Sequence, residues 1–406
     1  MSKRDNVHTP SIEPVLDIDL SDPGPLPDKA IDEAVALMRS GRLHRYGEFG
    51  AGEPHAALLE EEFAAYLGSR YAVAVNSGGA AIFLALKVAG VRPGDPVLVN
   101  AFNLAPVPGA IDHVGAKPVL VETCRDFLIN LDELERLAST SGSKVLLLTH
   151  MRGHIANMDE IVRISDQAGL FLIEDCAHTM GAGWNGVFTG RFGRIGCFSS
   201  QTFKHINSGE GGILVTDEDD MAAKAILYSG SYMLYGQHRS APPEVVFEKW
   251  KKRIPNYSMR MSNLPACVLR HQLSEMPQRG RQWNERYRWL EARLNEIAQI
   301  DVPARNPREE FVASSIQFHL ELPPEKIDLF AKRCTGRGVA IKWFGRQEPS
   351  GYTSQYFHWE YFPSPSLSDT VKTLSTTCDM RIPLSLTEDH CDIIARIISD
   401  EISKLA

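Results

Sequence analysis

Seven short apolar runs between Tyr71 and Thr216 constrain this chain more than any other feature of its sequence. They are YAVAV, PVLVN, KPVLVE, KVLLLTH, GLFLIED, GCFSS and GGILVT. Each has the length of a strand and almost no polar alternation, the pattern of strands buried on both faces. Between them lie stretches with helical periodicity, including SGGAAIFLALKVAG, APVPGAIDHVG, NLDELERLAST and NMDEIVRISDQAG. Parallel strands need long crossover connections, usually helices. The alternation therefore predicts an α/β fold with a mostly parallel central sheet covered by helices, reaching to about Asp220.

The flanks read differently. The first 28 residues are rich in Pro and Asp and read as an irregular arm. Two amphipathic helices follow, one starting at Asp28 with Gly41 as its stop, the other over residues 54–67. Beyond Asp220, the stretch YMLYGQHRSAPPEVVFEKWKKRIPNYS is aromatic, basic and without clear periodicity, as functional or interface loops often are. A long helix is predicted next, interrupted near Pro277. From about Val302 the pattern is α+β: IQFHLEL and VAIKWF as strands, PEKIDLFAKRCTGRG and EDHCDIIARIISDEISKL as helices. The predicted organisation is an arm over residues 1–28, a large α/β domain over 29–265, and a linking helix with a smaller C-terminal α+β domain over 266–406.

Composition narrows the class. The formal net charge of −8 argues against a general nucleic-acid or anionic-membrane binder. No apolar run approaches the ~18 residues of a membrane-spanning helix, and the N-terminal stretch has no apolar core of a secretory signal. Seven scattered cysteines without a CxxC pair suggest reduced thiols in the cytoplasm, with neither a disulfide framework nor a metal site. The expectation is a cytoplasmic globular enzyme.

Three features carry chemistry. Asp175 closes the apolar run LFLIED, at the carboxyl end of a predicted parallel strand, where open α/β sheets bind ligands. By itself it reads equally as a helix cap. VNSGGAA places Ser77, Gly78 and Gly79 between a strand and a helix, the form of an anion cup built from backbone N–H groups, though such turns are common in α/β proteins. Lys204 stands alone among small residues in SSQTFKHINSGEGG, five residues after Ser199. A phosphate cup, a carboxylate and a lysine, in that order, match the needs of pyridoxal 5'-phosphate: a lysine for a Schiff base, an acid to keep the pyridine nitrogen protonated, and a phosphate site.

The segments IEDCAH, GCFSS followed by Lys204, NSGEGG and NYSMRMSNLPA together resemble the DegT/StrS family of sugar and cyclitol aminotransferases, of the aspartate aminotransferase (type I) fold. The resemblance runs from GRLHRYG to RIPLSLTEDH. It implies that Lys204 forms the Schiff base and then moves protons, that Asp175 pairs with the pyridine nitrogen, and that His178 contacts the phenolic oxygen. It assigns the phosphate to Gly78, Gly79 and Ser199, with Ser77 in the same turn. It also implies a homodimer with active sites at the subunit interface, and a role in sugar biosynthesis and secondary metabolism.

Several positions depart from the family's pattern. Its Ser-Gly-Thr turn is Ser77-Gly78-Gly79 here, and AFNLAP puts Leu104 where an aromatic normally stacks on the ring, leaving Phe102 and Leu104 as rival candidates. Asn256 and Ser258 compete for the phosphate of the neighbouring subunit, because NYSMRM differs in spacing from the family's NYRM. Arg152 replaces an aromatic and is a candidate for gripping an amino donor's carboxylate. His44, Arg45 and Tyr46, with Tyr356 and His358, are candidates for the acceptor pocket. Dehydratase relatives carry histidine in place of the lysine; His205 is adjacent, but the lysine is retained, so His205 reads as a neighbour of the site. The expected reaction moves an amino group from glutamate or glutamine to a keto group of a nucleotide-linked sugar or cyclitol. A dehydration or elimination on the same cofactor, and a non-catalytic regulatory relative, are the alternatives.

Overall fold

The computed structural model describes residues 13–46, 54–350 and 355–405. The first twelve residues of the expected arm, residues 47–53 at the end of GRLHRYGEF, and the first two residues of TSQYFHWEYF lie outside that set. The strands are β1 (Tyr71–Val75), β2 (Pro96–Asn100), β3 (Lys117–Val121), β4 (Val145–Thr149), β5 (Phe171–Asp175), β6 (Gly183–Trp184), β7 (Val187–Phe188), β8 (Ile195–Ser199), β9 (Gly212–Thr216), β10 (Ile300–Asp301), β11 (Glu309–Glu310), β12 (Ser315–Leu320), β13 (Lys342–Trp343) and β14 (Thr377–Arg381). The α-helices are α1 (Asp28–Ser40), α2 (His55–Leu67), α3 (Gly78–Val88), α4 (Pro106–His113), α5 (Leu131–Thr140), α6 (Met158–Ala168), α7 (Asp219–Ser229), α8 (Glu244–Trp250), α9 (Asn263–Leu294), α10 (Pro324–Gly336), α11 (Ser368–Thr376) and α12 (Glu388–Ser403).

The large sheet has the order β1-β9-β8-β5-β4-β2-β3. Strands β8, β5, β4, β2 and β3 are parallel neighbours. Strand β9 runs antiparallel to both β8 and β1, so β1 points the same way as the rest. The sequence did not distinguish β9 from its parallel neighbours. The segment from β8 to β9 contains no helix, and a return without a crossover helix leaves the second strand antiparallel. The sheet is apolar on both faces: Leu146 and Leu148 belong to one core cluster, Val145 and Leu147 to another. The carboxyl ends of β1, β2, β4, β5 and β8 therefore open on one edge.

A smaller antiparallel sheet, β10-β12-β14-β13, is formed by the C-terminal part. Strand β14 lies inside it and was not anticipated, because TCDMR alternates polar and apolar residues over only five positions and carries just two apolar side chains. Helix α9 links the two parts. Its first half packs Cys267 with Ala34 and Leu37 of α1, and Leu269, Leu273 and Met276 with Leu59 and Phe63 of α2. Its second half buries Trp283, Tyr287, Leu290 and Leu294 in the core shared with the small sheet. The interruption expected at Pro277 does not occur: the helix continues through it. Burial on both sides of the proline outweighs a penalty of about 3 kcal/mol for proline in a helix interior. The stretch after Asp220 also holds more order than expected, with a short 3-10 turn at Tyr232–Gln237 and helix α8. Among the described residues, no helix is long and apolar enough to cross a membrane.

Candidate active site

A cavity lies at the carboxyl edge of the large sheet, where open α/β sheets bind ligands. Five loops converge on it, each continuing from a strand end. Gly78 and Gly79 come from the turn after β1, Leu104 from the loop after β2, and Thr149 with Met151 from the end of β4. Asp175 and His178 follow β5, and Ser199 and Lys204 follow β8.

Helix α3 starts at the cup. Ser77 caps it, its Oγ accepting the Ala80 N–H at 3.0 Å. That hydroxyl is thus engaged in the helix start, and Ser77 does not line the cavity. The first-turn N–H groups at Gly78 and Gly79 have no partners of their own in a helix and form an anion site with the dipole behind them. A Cβ on Gly78 would sit 2.8 Å from Ser199 Cβ, so only glycine allows the turn to lie against the end of β8. Strand β9 passes as closely: a Cβ on Gly212 would fall 2.2 Å from the Ser77 carbonyl oxygen. In NSGEGG, Gly212 serves this close approach, and Gly211 passes as tightly by the Ser200 hydroxyl.

Asp175 is buried at the end of β5, opposite the cup. Its Oδ1 accepts the Ala177 N–H at 3.1 Å and its Oδ2 the Thr149 hydroxyl at 3.4 Å. Burial pushes its carboxyl above the usual range, while the Ala177 N–H and the Lys204 charge pull it back. The neighbouring Glu174 points to the opposite face, as alternate strand residues do. There it accepts N–H groups from Gly190, Phe192 and Gly193 and pairs with His150 at 3.1 Å.

Lys204 Nζ lies 2.9 Å from His178 Nε2. Burial pushes the lysine down to about 7; the Arg152 and Arg381 charges add to this and Asp175 opposes it. His178 is held well below the ordinary histidine range by burial, then by Lys204 and Arg152, and is neutral. Its Nδ1 is buried without a protein partner. Asn103, missed in the sequence, also lines the cavity. Its Nδ2 donates to the Asn100 carbonyl at 2.9 Å, and its Oδ1 is buried and unpaired. An asparagine in an apolar loop after a strand end was the available signal.

Other expected site residues lie elsewhere. Phe102 is buried against Phe127 and Phe344 and does not face the cavity; Leu104 does. An aliphatic wall thus stands where the family pattern has an aromatic. Arg152 sits at φ 55 in the turn after β4 and pairs with Asp379 at 3.0 Å, so its guanidinium is already engaged by a carboxylate. Arg45 is enclosed with Glu60, which accepts its Nη2 at 2.7 and 2.8 Å and the Ala74 N–H at 2.7 Å. Tyr46 joins that cluster through His238 at 3.3 Å, and His44 bonds to the Tyr46 backbone. His205 is buried edge-on against Trp283 with Nε2 3.3 Å from the Val312 carbonyl, and burial pushes it down to about 4. The Tyr356 hydroxyl accepts the Leu367 N–H, and His358 closes a turn through the Gln355 N–H and the Gln347 carbonyl. These are core and loop contacts, and none of these side chains lines this cavity. Asn256 and Ser258 are exposed and bond to each other outside the cavity, the Asn256 Oδ1 accepting the Ser258 N–H at 2.8 Å.

Pyridoxal phosphate fits this donor set: a glycine-edged helix start for the phosphate, a buried carboxylate opposite, a lysine kept near neutral, and unpaired buried atoms at His178 and Asn103. The sequence model of the DegT/DnrJ/EryC1/StrS aminotransferase family matches residues 28–399. The spore coat polysaccharide biosynthesis protein SpsC of Bacillus subtilis (strain 168) is 32% identical over 250 residues, 61% of each chain. The L-glutamine:scyllo-inosose aminotransferase of Streptomyces griseus is 30% identical over 198 residues, 49% of this chain and 47% of that one. The chain thus spans about three fifths of the length of the first relative and about half of the second. The crystal structure of 3-amino-5-hydroxybenzoic acid synthase superposes with a TM-score of 0.80 at 25% identity, covering 94% of this chain and 98% of that one. The chain belongs to the DegT/DnrJ/EryC1/StrS aminotransferase family.

Proposed function

We propose that this family member is a pyridoxal phosphate-dependent aminotransferase that moves an amino group from glutamate or glutamine to a keto group of a sugar or cyclitol. The observation that carries it is Lys204, depressed to about 7 and 2.9 Å from a neutral His178, in the cavity that also holds Asp175 and the glycine cup. When bound, the cofactor would supply an aldehyde for Schiff-base formation and an electron sink for the amino group's transfer.

The protein's own parts divide the work. The N–H groups at Gly78 and Gly79, with the Ser199 hydroxyl beside them, hold the phosphate. Asp175, anchored by Thr149 and Ala177, would pair with the ring nitrogen and hold a proton there. Lys204 Nζ, neutral in part at physiological pH, takes and returns protons at the reacting carbon. General bases work best with a pKa near the working pH. His178 orients Nζ through Nε2, and its unpaired Nδ1 would be available to the ring oxygen. Leu104 and Ile82 supply an apolar wall that excludes water.

The exposed Asn256 and Ser258, outside their own cavity, support an active homodimer in which they complete the partner's phosphate site. The family and the free cysteines support a cytoplasmic setting. The relatives' names support sugar biosynthesis and, for glutamine, the donor.

The test is spectroscopic. Protein reconstituted with the cofactor should show a Schiff-base absorbance band that Lys204→Ala abolishes. Glutamine or glutamate alone, without acceptor, should convert that band to the amine form. Retention of the band with both donors, while a deoxysugar substrate is dehydrated, would favour the elimination alternative and overturn the transaminase assignment.

A further inference from the structure

Among the described residues, two groups of His, Cys and carboxylate side chains lie close enough to share one metal ion. His150, Glu174 and Cys176 form one, but its carboxylate is taken: Glu174 already accepts three backbone N–H groups and pairs with His150. The other joins Glu33 of α1, His55 at the start of α2 and Cys267 of α9, whose donor atoms all lie within 4.8 Å of one another. We propose that these three side chains bind a divalent transition-metal ion, with zinc the best match, and that the ion ties the three helices together.

The donor set selects the ion. A thiolate, an imidazole and a carboxylate are zinc's usual ligand types, and three protein ligands leave a fourth tetrahedral position to water. Ligands of one tetrahedral zinc stand about 3.3–3.8 Å apart, from its ordinary bond lengths, so small side-chain rotations close the site. Glu33 and the Cys267 thiolate carry the two negative charges that balance a divalent cation. As the sulfur–metal bond forms, the Cys267 proton leaves to solvent. Without the ion that thiol keeps its proton, because burial pushes it up to about 11. Burial, and then the Arg270 charge, hold His55 below the ordinary histidine range, which leaves the neutral imidazole that ligates a metal.

The surroundings hold the donors in place. Cys267 is buried and packs with Ala34 and Leu37 of α1. Asn263, one turn earlier on α9, accepts the Ala56 N–H at 3.0 Å and so fixes the start of α2. His271 lies four residues after Cys267, on the same face of α9, and its Nε2 donates to Glu33 Oε2 at 2.9 Å. Hydrogen bonds of this kind orient ligating carboxylates. One cation stands close: Arg270 Nη1 is 3.1 Å from His55 Nδ1. Its Nε and Nη2 are held by Glu62 at 2.6–3.0 Å, so it can release His55 to an ion and keep its own carboxylate. Glu33 and His55 are partly exposed, which gives an ion a way in. None of these residues lines the cavity of Lys204, so the site stands apart from the chemistry.

Calorimetric titration of the chelator-stripped, cofactor-loaded enzyme with zinc chloride tests the proposal, and cadmium chloride reports the thiol through an ultraviolet sulfur-to-metal band. The wild type should bind zinc at this site and show the cadmium band, which Cys267→Ala should abolish. His271→Ala should weaken zinc binding by about 10- to 100-fold, and His271→Gln, which keeps a donor, should recover part of the loss. Cys267→Ala, Glu33→Gln and His55→Gln each remove a ligand and should cost more than that. Zinc should also raise the unfolding midpoint of the wild type and leave that of Cys267→Ala unmoved. A wild type that takes up no zinc overturns the proposal, as does zinc binding that survives in Cys267→Ala. Binding that needs Cys267 but neither Glu33 nor His55 overturns it too, since a lone reactive thiol would behave that way.

Discussion

Lys204 holds its amine near neutrality because it is buried and because Arg152 and Arg381 stand close by, against the opposing pull of Asp175. The consequence reaches folding as well as chemistry. In the unfolded chain a lysine keeps its proton to about pH 10.4. In the folded, cofactor-free protein this one loses it at about 7. Between those values the unfolded state binds the extra proton, so the lysine's contribution to stability rises with pH; below about 7 both states are protonated and the burial penalty is fully present. Lys204→Met removes the penalty. The variant's stability advantage over wild type, measured by denaturant unfolding of the cofactor-free proteins, should be greatest below pH 7 and shrink steadily toward pH 10. An advantage that is flat with pH would show that the amine is not depressed. Arg152→Met, which removes a neighbouring cation, should move the lower edge of that window upward.

At the scale of elements, the site depends on how tightly helix α3 lies on the end of β8. Gly78→Ala places a methyl 2.8 Å from Ser199 Cβ, whereas Gly79→Ala meets nothing nearer than Pro106 Cβ at 3.8 Å. Gly78→Ala is expected to weaken cofactor binding by about tenfold, the size of one weakened hydrogen bond to a charged group. Gly79→Ala should leave binding within a factor of a few. Equilibrium titration of each apoprotein with the cofactor checks both, and equal losses would sink the steric account. Helix α9 offers a separate test. Pro277 is exposed in the middle of a 32-residue helix. Pro277→Ala should therefore stabilise the protein by about 1–3 kcal/mol, read as a shift in the unfolding midpoint, since no packing is lost and a helix-interior proline costs about 3 kcal/mol. These elements also mark what was legible in the sequence. The strands of the large sheet announced themselves because both faces are buried and nearly every residue in them is apolar. Asp175 and Lys204 stood out against that background at strand ends. Strand β14 did not, because the burial of one of its faces is polar: Asp379 is buried by virtue of Gln317 and Arg152, partners distant in sequence. The same cause hid the fates of Arg45, His205 and Tyr356. Their side chains suited a substrate pocket, but their partners, Glu60, Trp283 and Leu367, were visible only once the chain was folded.

At the scale of the whole molecule, the ion pair between Arg152 and Asp379 joins the two sheets beside the cavity of the large sheet. Arg152 follows β4 of the large sheet, next to Met151, which lines that cavity. Asp379 lies in β14 of the small sheet, two residues before Arg381. Residues two apart on a strand share a face, so Asp379 and Arg381 are placed by one stretch of backbone. Both partners are nearly enclosed, with side-chain exposures of 10% and 4%. Removing one partner of a buried pair leaves an uncompensated charge and costs about 3–5 kcal/mol, whereas replacing both is far milder. Asp379→Asn, which still offers Gln317 an acceptor, should destabilise the protein by that order, and Arg152→Met added to it should restore most of the loss. A coupling below about 0.5 kcal/mol in this double-mutant cycle, the level of additivity between independent sites, would show that the pair does not hold the sheets together. If it does, Asp379→Asn should still leave cofactor binding in the cavity of the large sheet largely intact. The glycine cup and Asp175 belong to the large sheet alone, and Arg381 depends on where the small sheet sits.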